Sequence, residues 1–167
     1  MQTGYFWPVY GDKNEIAFPF SPSRAVGMVR AVLGEYCGVL LSDGYQAYEK
    51  HAAEVNGVVH AQCWSHARRH FLKAQDIEPE LTSRALDLIG RLYAQEAVLR
   101  AQILDDESQV RERREHCKPI VDEFFAWCDA EALKVPNVRF VNSSMFFVKE
   151  EKSYANTDGT LTTQTVV

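Results

Sequence analysis

Gly38-Val39-Leu40-Leu41-Ser42-Asp43-Gly44 carries the strongest strand-and-turn signal in the chain. Val39, Leu40 and Leu41 form a short unbroken apolar run, the pattern of a strand covered on both faces. Ser42-Asp43-Gly44 ends that run as a turn. Ahead of it, Ala25, Val29, Val32, Leu33 and Tyr36 recur on one face of a helix. Ser21-Pro22 predicts the N-cap and first helical position of that helix. Further upstream, Tyr5–Tyr10 and Glu15–Phe20 read as two strands around the turn cluster Gly11-Asp12-Lys13-Asn14, an antiparallel hairpin with Pro8 marking an edge or a bulge. Strand, helix, strand in this order predicts an α/β layer with a right-handed crossover. Asp43 then lies at the carboxyl end of a buried strand, the edge where open α/β sheets place their ligands.

Downstream, Tyr45–Glu54 reads as a short helix and Gly57–Ala61 as another strand. From Cys63 the pattern turns helical and basic, through Trp64, His66, Arg68, Arg69, His70 and Lys73. After Pro79 the leucines at 81, 88, 92 and 99, with Ala85, describe a long amphipathic helix. Arg111–Glu115 reads as a self-neutralising, salt-laced helix surface. Pro119 is expected to open a further helix with Ile120, Phe124, Trp127 and Cys128 on its apolar face. Residues 1–75 are thus expected to form an α/β core, 76–135 a helical addition, and 136–167, rich in Thr and Asn towards the end, a divergent and poorly ordered tail.

The chain has 167 residues, 46% of them hydrophobic and 25% charged, which excludes a disordered or collagen-like protein. Net charge is −5. That argues against a chain whose whole surface coats polyanions, but the acidity is uneven: residues 1–75 carry 7 Lys/Arg against 6 Asp/Glu, and the remainder 11 against 17. The first half is therefore free to meet nucleic acid. No apolar run is long enough to span a bilayer, and the N-terminal residues lack the pattern of an export signal. The four irregularly spaced cysteines (Cys37, Cys63, Cys117, Cys128) read as reduced thiols, so a cytoplasmic protein is expected.

Two constellations carry chemistry. Asp43 followed by glycine suits a hard oxygen ligand for Mg²⁺, and equally a turn aspartate that only begins the next helix. Cys63 and His66, three apart, share a helix face if the helix includes both. Zinc needs more ligands than this pair offers, and a Cys–His nucleophile lacks a surrounding signature. The plain alternative is a packed thiol near a hydrogen-bonded histidine. Arg68, Arg69 and Lys73 form either a solvated basic face or a set of phosphate contacts.

Taken in order, Gly4-Tyr5-Phe6-Trp7, then Ser42-Asp43-Gly44-Tyr45-Gln46-Ala47-Tyr48, then Cys63-Trp64-Ser65-His66-Ala67-Arg68-Arg69-His70-Phe71 resemble the central domain of bacterial transposases of the insertion sequence 66 family. The later helices, with Leu92-Tyr93 and the Arg-rich 111–114 stretch, are similar to that family's helical insertion. The resemblance covers about residues 4–135.

It implies a ribonuclease-H-like mixed sheet, here incomplete, with an α-helical insertion, and an Asp-Asp-Glu centre in which three carboxylates hold two divalent metals for cutting and joining DNA. Asp43 matches the second carboxylate and so a metal ligand, Mg²⁺ by family. Cys63 and His66 match an element that supports the active site, and Arg68, Arg69 and Lys73 are the implied DNA contacts. The first Asp is expected on a strand ahead of the hairpin, and the final Glu in a D-N-N-x-x-E-R-like segment that this sequence lacks. Glu150 and Glu151 stand outside any such context. The expectation is a transposase fragment, truncated at both ends and inactive alone, with little tight metal binding. Its partners would be transposon-end DNA, an intact transposase or a second copy of itself, and no membrane. The alternative is a non-enzymatic remnant that binds DNA or interacts with a transposase.

Overall fold

Four two-residue strands build one antiparallel hairpin: β1 (Tyr5–Phe6) pairs with β4 (Phe20–Ser21), and β2 (Val9–Tyr10) with β3 (Ile16–Ala17). The pairs Tyr5↔Ser21, Phe6↔Phe20, Val9↔Ala17 and Tyr10↔Ile16 belong to a single register. The ladder breaks where Pro8 and Pro19 remove backbone donors. The register survives because Trp7 N donates to Pro19 O (2.9 Å) and Gly11 N to Glu15 O (2.8 Å). This computed structural model describes residues 4–11 and 15–134, so the tip of the predicted turn and the expected tail at 136–167 lie outside the described residues. Those residues divide into two compact units, the first ending at Cys63 and the second beginning at Trp64.

Within the first unit, Ser21 stays extended because it pairs with Tyr5, and a residue before proline disfavours helix. Its hydroxyl accepts from Ser23 N (3.0 Å), and Ser23 Oγ accepts from Ala25 N (3.1 Å). The helix α1 therefore runs Val26–Leu33, starting beyond the Ser21-Pro22 position that the sequence predicts. It buries Val29, with Val26, Val32, Leu33 and Tyr36 packed at the margin.

Strand β5 (Gly38–Ser42) is followed by α2 (Gln46–Glu54) and β6 (Val58–Gln62). β5 and β6 pair in parallel from Gly38↔Val58 to Ser42↔Gln62, as a crossover requires. Leu40 and Ser42 are fully buried while Val39 and Leu41 are only half-covered, so one face of β5 is better packed than the other. Burying Leu40 contributes about 2 kcal/mol. Trp7, Val29, Leu40, Ala47 and Tyr48 make the core of this unit, and the Trp7 and Tyr48 rings meet edge-on at 5.8 Å.

The second unit is helical: α3 (Trp64–Lys73), α4 (Pro79–Arg100), α5 (Asp106–Glu112), a π-helical stretch (Arg113–Cys117) and α6 (Lys118–Lys134). Phe71, Ala85, Leu88, Ile89, Phe124 and Phe125 form its core, where Phe124 meets Trp64 edge-on at 5.2 Å and Phe71 at 6.0 Å. Asp105 caps α5 by accepting from Ser108 N (2.7 Å). Pro119 stands at the second position of α6, as the sequence predicts of a helix opening there. The helical path runs through it, and the widened turn just upstream accommodates a proline that lacks an N–H and would crowd an earlier carbonyl. Arg111–Glu115 is not purely a surface: Arg113 turns inward to Glu96 through two hydrogen bonds, Nε–Oε1 at 2.9 Å and a second to Oε2 at 3.1 Å. Among the described residues no helix is long and apolar enough to cross a membrane.

Candidate functional site

Asp43 stands at the carboxyl end of β5, as its sequence context predicts. Its Oδ1 accepts from Tyr45 N (2.9 Å), closing the turn that leads into α2. Gly44 sits at φ 86, a conformation that disfavours any side chain and explains the glycine after Asp43.

The turn is tied down from below. Ser42 Oγ accepts from Gly44 N (3.1 Å) and lies 2.7 Å from His60 Nε2 on β6. Ser42 O accepts from Cys63 N (2.9 Å), which joins the exits of both strands. The carboxylate is thus presented half-exposed from a buried polar base. Burial pushes His60 down to about 4, against the opposing pull of the Asp43 charge, so the imidazole is neutral at neutral pH. Burial first, and the Asp43 carboxylate second, raise the Tyr48 phenol.

Arg24 supplies the cation near this edge. Its guanidinium carbon is 4.3 Å from the centre of the Tyr45 ring and 5.5 Å from that of Tyr5, and Tyr45 Oη donates to Arg24 O (2.9 Å). Its positive charge also acts on Tyr48. The sequence assigns no role to Arg24, places Ser42 and Tyr45 only in a turn and a motif, and places His60 only within the strand Gly57–Ala61. The signal for His60 was its inward parity on a strand parallel to β5, which becomes meaningful only once the register is known.

The second constellation is arranged differently from the spacing argument. Cys63 precedes α3, which begins at Trp64, so Cys63 and His66 do not share a helix face. Cys63 closes the first unit through its backbone bond to Ser42, while His66 lies on the first turn of α3, its Nδ1 buried without a partner among the described residues. Arg68, Arg69 and Lys73 are exposed on α3, and Ala67, Phe71 and Ala74 are buried beneath them.

A divalent metal is the group this chemistry implies, and the donor set tests it. Among the described residues no three His, Cys, Asp or Glu side chains gather in a metal-holding group. Asp43 offers one carboxylate, with Oδ1 already accepting from the turn. These residues do not by themselves fit a two-metal centre, which needs several convergent carboxylates. No curated protein and no solved structure matches the chain. A family model described as "Transposase IS66 family" matches residues 1–156.

Proposed function

This chain belongs to the transposase IS66 family, and we propose that it carries the central, ribonuclease-H-like region of a DNA transposase, with Asp43 as one of the carboxylates that hold catalytic metal. The observation that carries this reading is the placement of Asp43 at the carboxyl end of a parallel strand, on a turn built from Ser42, Gly44 and His60. A turn aspartate needs only its own Asx bond. The buried polar support beneath Asp43 fits a carboxylate whose position matters.

Divalent-metal chemistry is general to transposases of this class, and the one carboxylate that stands at this strand end among the described residues does not complete it. We therefore read the chain as inactive in DNA cutting and joining when alone. Ser42 and His60 hold the strand exits in register, Gly44 permits the turn, and Arg24 with Tyr45 places a cation beside the carboxylate edge. Cys63 supports this edge through its backbone, while His66 belongs to α3.

Incubation of the purified chain with transposon-end DNA and Mg²⁺ tests this reading, and no cleavage or strand joining is expected. Cleavage abolished by Asp43→Ala would overturn the inactivity and keep the role of Asp43. Cleavage indifferent to Asp43→Ala would overturn both.

A second reading, a DNA-binding remnant without catalysis, is favoured by one observation: Arg68, Arg69 and Lys73 are all exposed on α3. Charge reversal at Arg68 and Arg69 should then weaken duplex binding and flatten its salt dependence, whereas Asp43→Ala leaves it unchanged. Binding that is absent at low salt removes this reading.

A further inference from the structure

Among the described residues, the outer face of the hairpin is built from aliphatic and aromatic side chains. Its single register sorts the residues by parity: Tyr5 and Trp7 point towards the core, and Phe6, Pro8, Tyr10, Ile16, Phe18 and Phe20 point away from it. Phe6 is 68% exposed, Phe18 and Phe20 62% each, Ile16 54% and Tyr10 38%. Gly4 belongs to the same surface, since a Cβ there would run into the Phe20 ring, and the Phe6 and Phe20 rings meet edge-on at 5.5 Å.

We infer that this face is a self-association surface on which a second copy of the chain docks, face to face across a two-fold axis through the Pro8/Phe18 row. This inference is independent of the catalytic reading of Asp43.

Area is the first argument. Aromatic side chains contribute about 150–250 Å² each, so the exposed part of this face is on the order of 500 Å². Contiguous apolar patches of that size are at the upper end of what monomers expose. Two such faces together remove roughly 1,000 Å² from water, the threshold of a specific interface and the size expected of a weak one.

Symmetry is the second. The face has three cross-strand rows, Phe6/Phe20, Pro8/Phe18 and Tyr10/Ile16, in one unbroken register. A two-fold through the middle row sets the Phe6/Phe20 row of one copy against the Tyr10/Ile16 row of the other, and the reverse, which is the self-complementarity a closed dimer requires.

Charge and backbone select against other occupants. Phe6, Pro8, Tyr10, Ile16, Phe18 and Phe20 include no acidic or basic side chain, so like-charge repulsion does not oppose contact between two copies there. A single-stranded nucleic acid would find aromatic rings to stack on. It would find no Lys or Arg among the six side chains of the described face, and Arg24 is engaged with the Tyr5 and Tyr45 rings, whereas such grooves are cationic. Addition of a strand at the hairpin edge is disfavoured by the two prolines that interrupt the ladder, which leaves face packing as the available mode. Trp7, buried on the inner side, anchors the hairpin, so the outer face is presented already ordered.

Sedimentation equilibrium of the full chain from low to high micromolar concentration tests the inference. A reversible monomer–dimer equilibrium is expected within that range, as suits an interface at the lower size limit. Phe18→Ser and Phe6→Ser should each weaken it about tenfold or more, as loss of a central aromatic contact does. Far-UV circular dichroism and cooperative unfolding report whether the variants still fold. As a second route that removes no apolar core, Phe18→Cys in a Cys37→Ser background should form an intermolecular disulfide under mild oxidation, because a residue at the two-fold axis faces its own copy. Ile16→Cys in the same background should crosslink far less. A chain that stays monomeric at all concentrations overturns the inference. So does a dimer indifferent to Phe18→Ser, a failure of Phe18→Cys to crosslink, or a monomer that uses Phe18 only to bind a thymidine oligonucleotide.

Discussion

The Ser42 hydroxyl lies 2.7 Å from His60 Nε2, and both side chains are buried. The bond links the last residue of β5 to the middle of β6, directly beneath the turn that carries Asp43. Because Ser42 Oγ also accepts from Gly44 N, one hydroxyl joins strand pairing to turn geometry. The two side chains should therefore be energetically coupled. His60→Ala is expected to cost about 1–3 kcal/mol, the usual cost of stranding a buried polar partner. Ser42→Ala should cost a similar amount, and the double variant less than the sum by about 1 kcal/mol. Urea denaturation of the four species measures this, and strict additivity would show that the bond carries no energy.

Acid should weaken the fold through histidine. Burial holds His60 down at about 4 and lowers His51 as well, the latter aided by the Arg30 charge. Both fall below the unfolded value of about 6.5. The unfolded chain then binds protons that the folded chain refuses, so their contribution to stability is complete above pH 6.5 and is lost as pH falls towards 4. For His60 alone the loss is roughly 2–3 kcal/mol at the acid end of that window. Urea midpoints measured across pH 4–7 should show this slope, and His60→Gln should flatten it.

Two ion pairs of the second unit should differ sharply in worth. Arg113 and Glu96 meet through two hydrogen bonds with side chains only 10% and 12% exposed. Arg113→Ala strands a buried carboxylate and is expected to cost about 3 kcal/mol. Arg84 and Glu123 meet at 2.6 Å but in solvent, so Arg84→Ala should cost under about 1 kcal/mol. Thermal unfolding of the two variants checks the ordering, and equal losses would refute it.

The cysteines should separate by reactivity. Burial, with the Glu96 carboxylate, pushes the Cys117 thiol up to about 12, and burial pushes Cys128 up to about 12. Thiolate is the reactive form, so both should resist iodoacetamide at neutral pH until the chain unfolds. Cys37 is exposed and should label first. Mass-spectrometric mapping after timed alkylation decides it, and early modification of Cys117 would contradict the packing described for it.

Much of this protein was legible one residue at a time. The hairpin, α1, the β5–α2–β6 crossover and the leucine face of α4 follow from periodicities of two and 3.6, because a local pattern of burial is written in consecutive residues. Asp43 was found in the same way, since a strand end followed by Asp-Gly is a local signal. The errors occurred where a residue answers to something distant. Ser21 looked like a helix cap until Tyr5 claimed it for a strand, and Arg113 looked like a surface charge until Glu96 turned it inward.

Element types, the position of Asp43 at a strand end and the motif pair that points to the transposase IS66 family are therefore written locally in the chain. That His60 braces Ser42, that Cys63 closes a strand and does not begin a helix, and that the hairpin turns six residues outward emerge from the folded arrangement. The physical reason is common to all three. Helix and strand patterns arise from interactions between near neighbours in the chain, whereas hydrogen-bond partners across strands, and the face that remains uncovered, depend on a register and a packing that no local pattern contains.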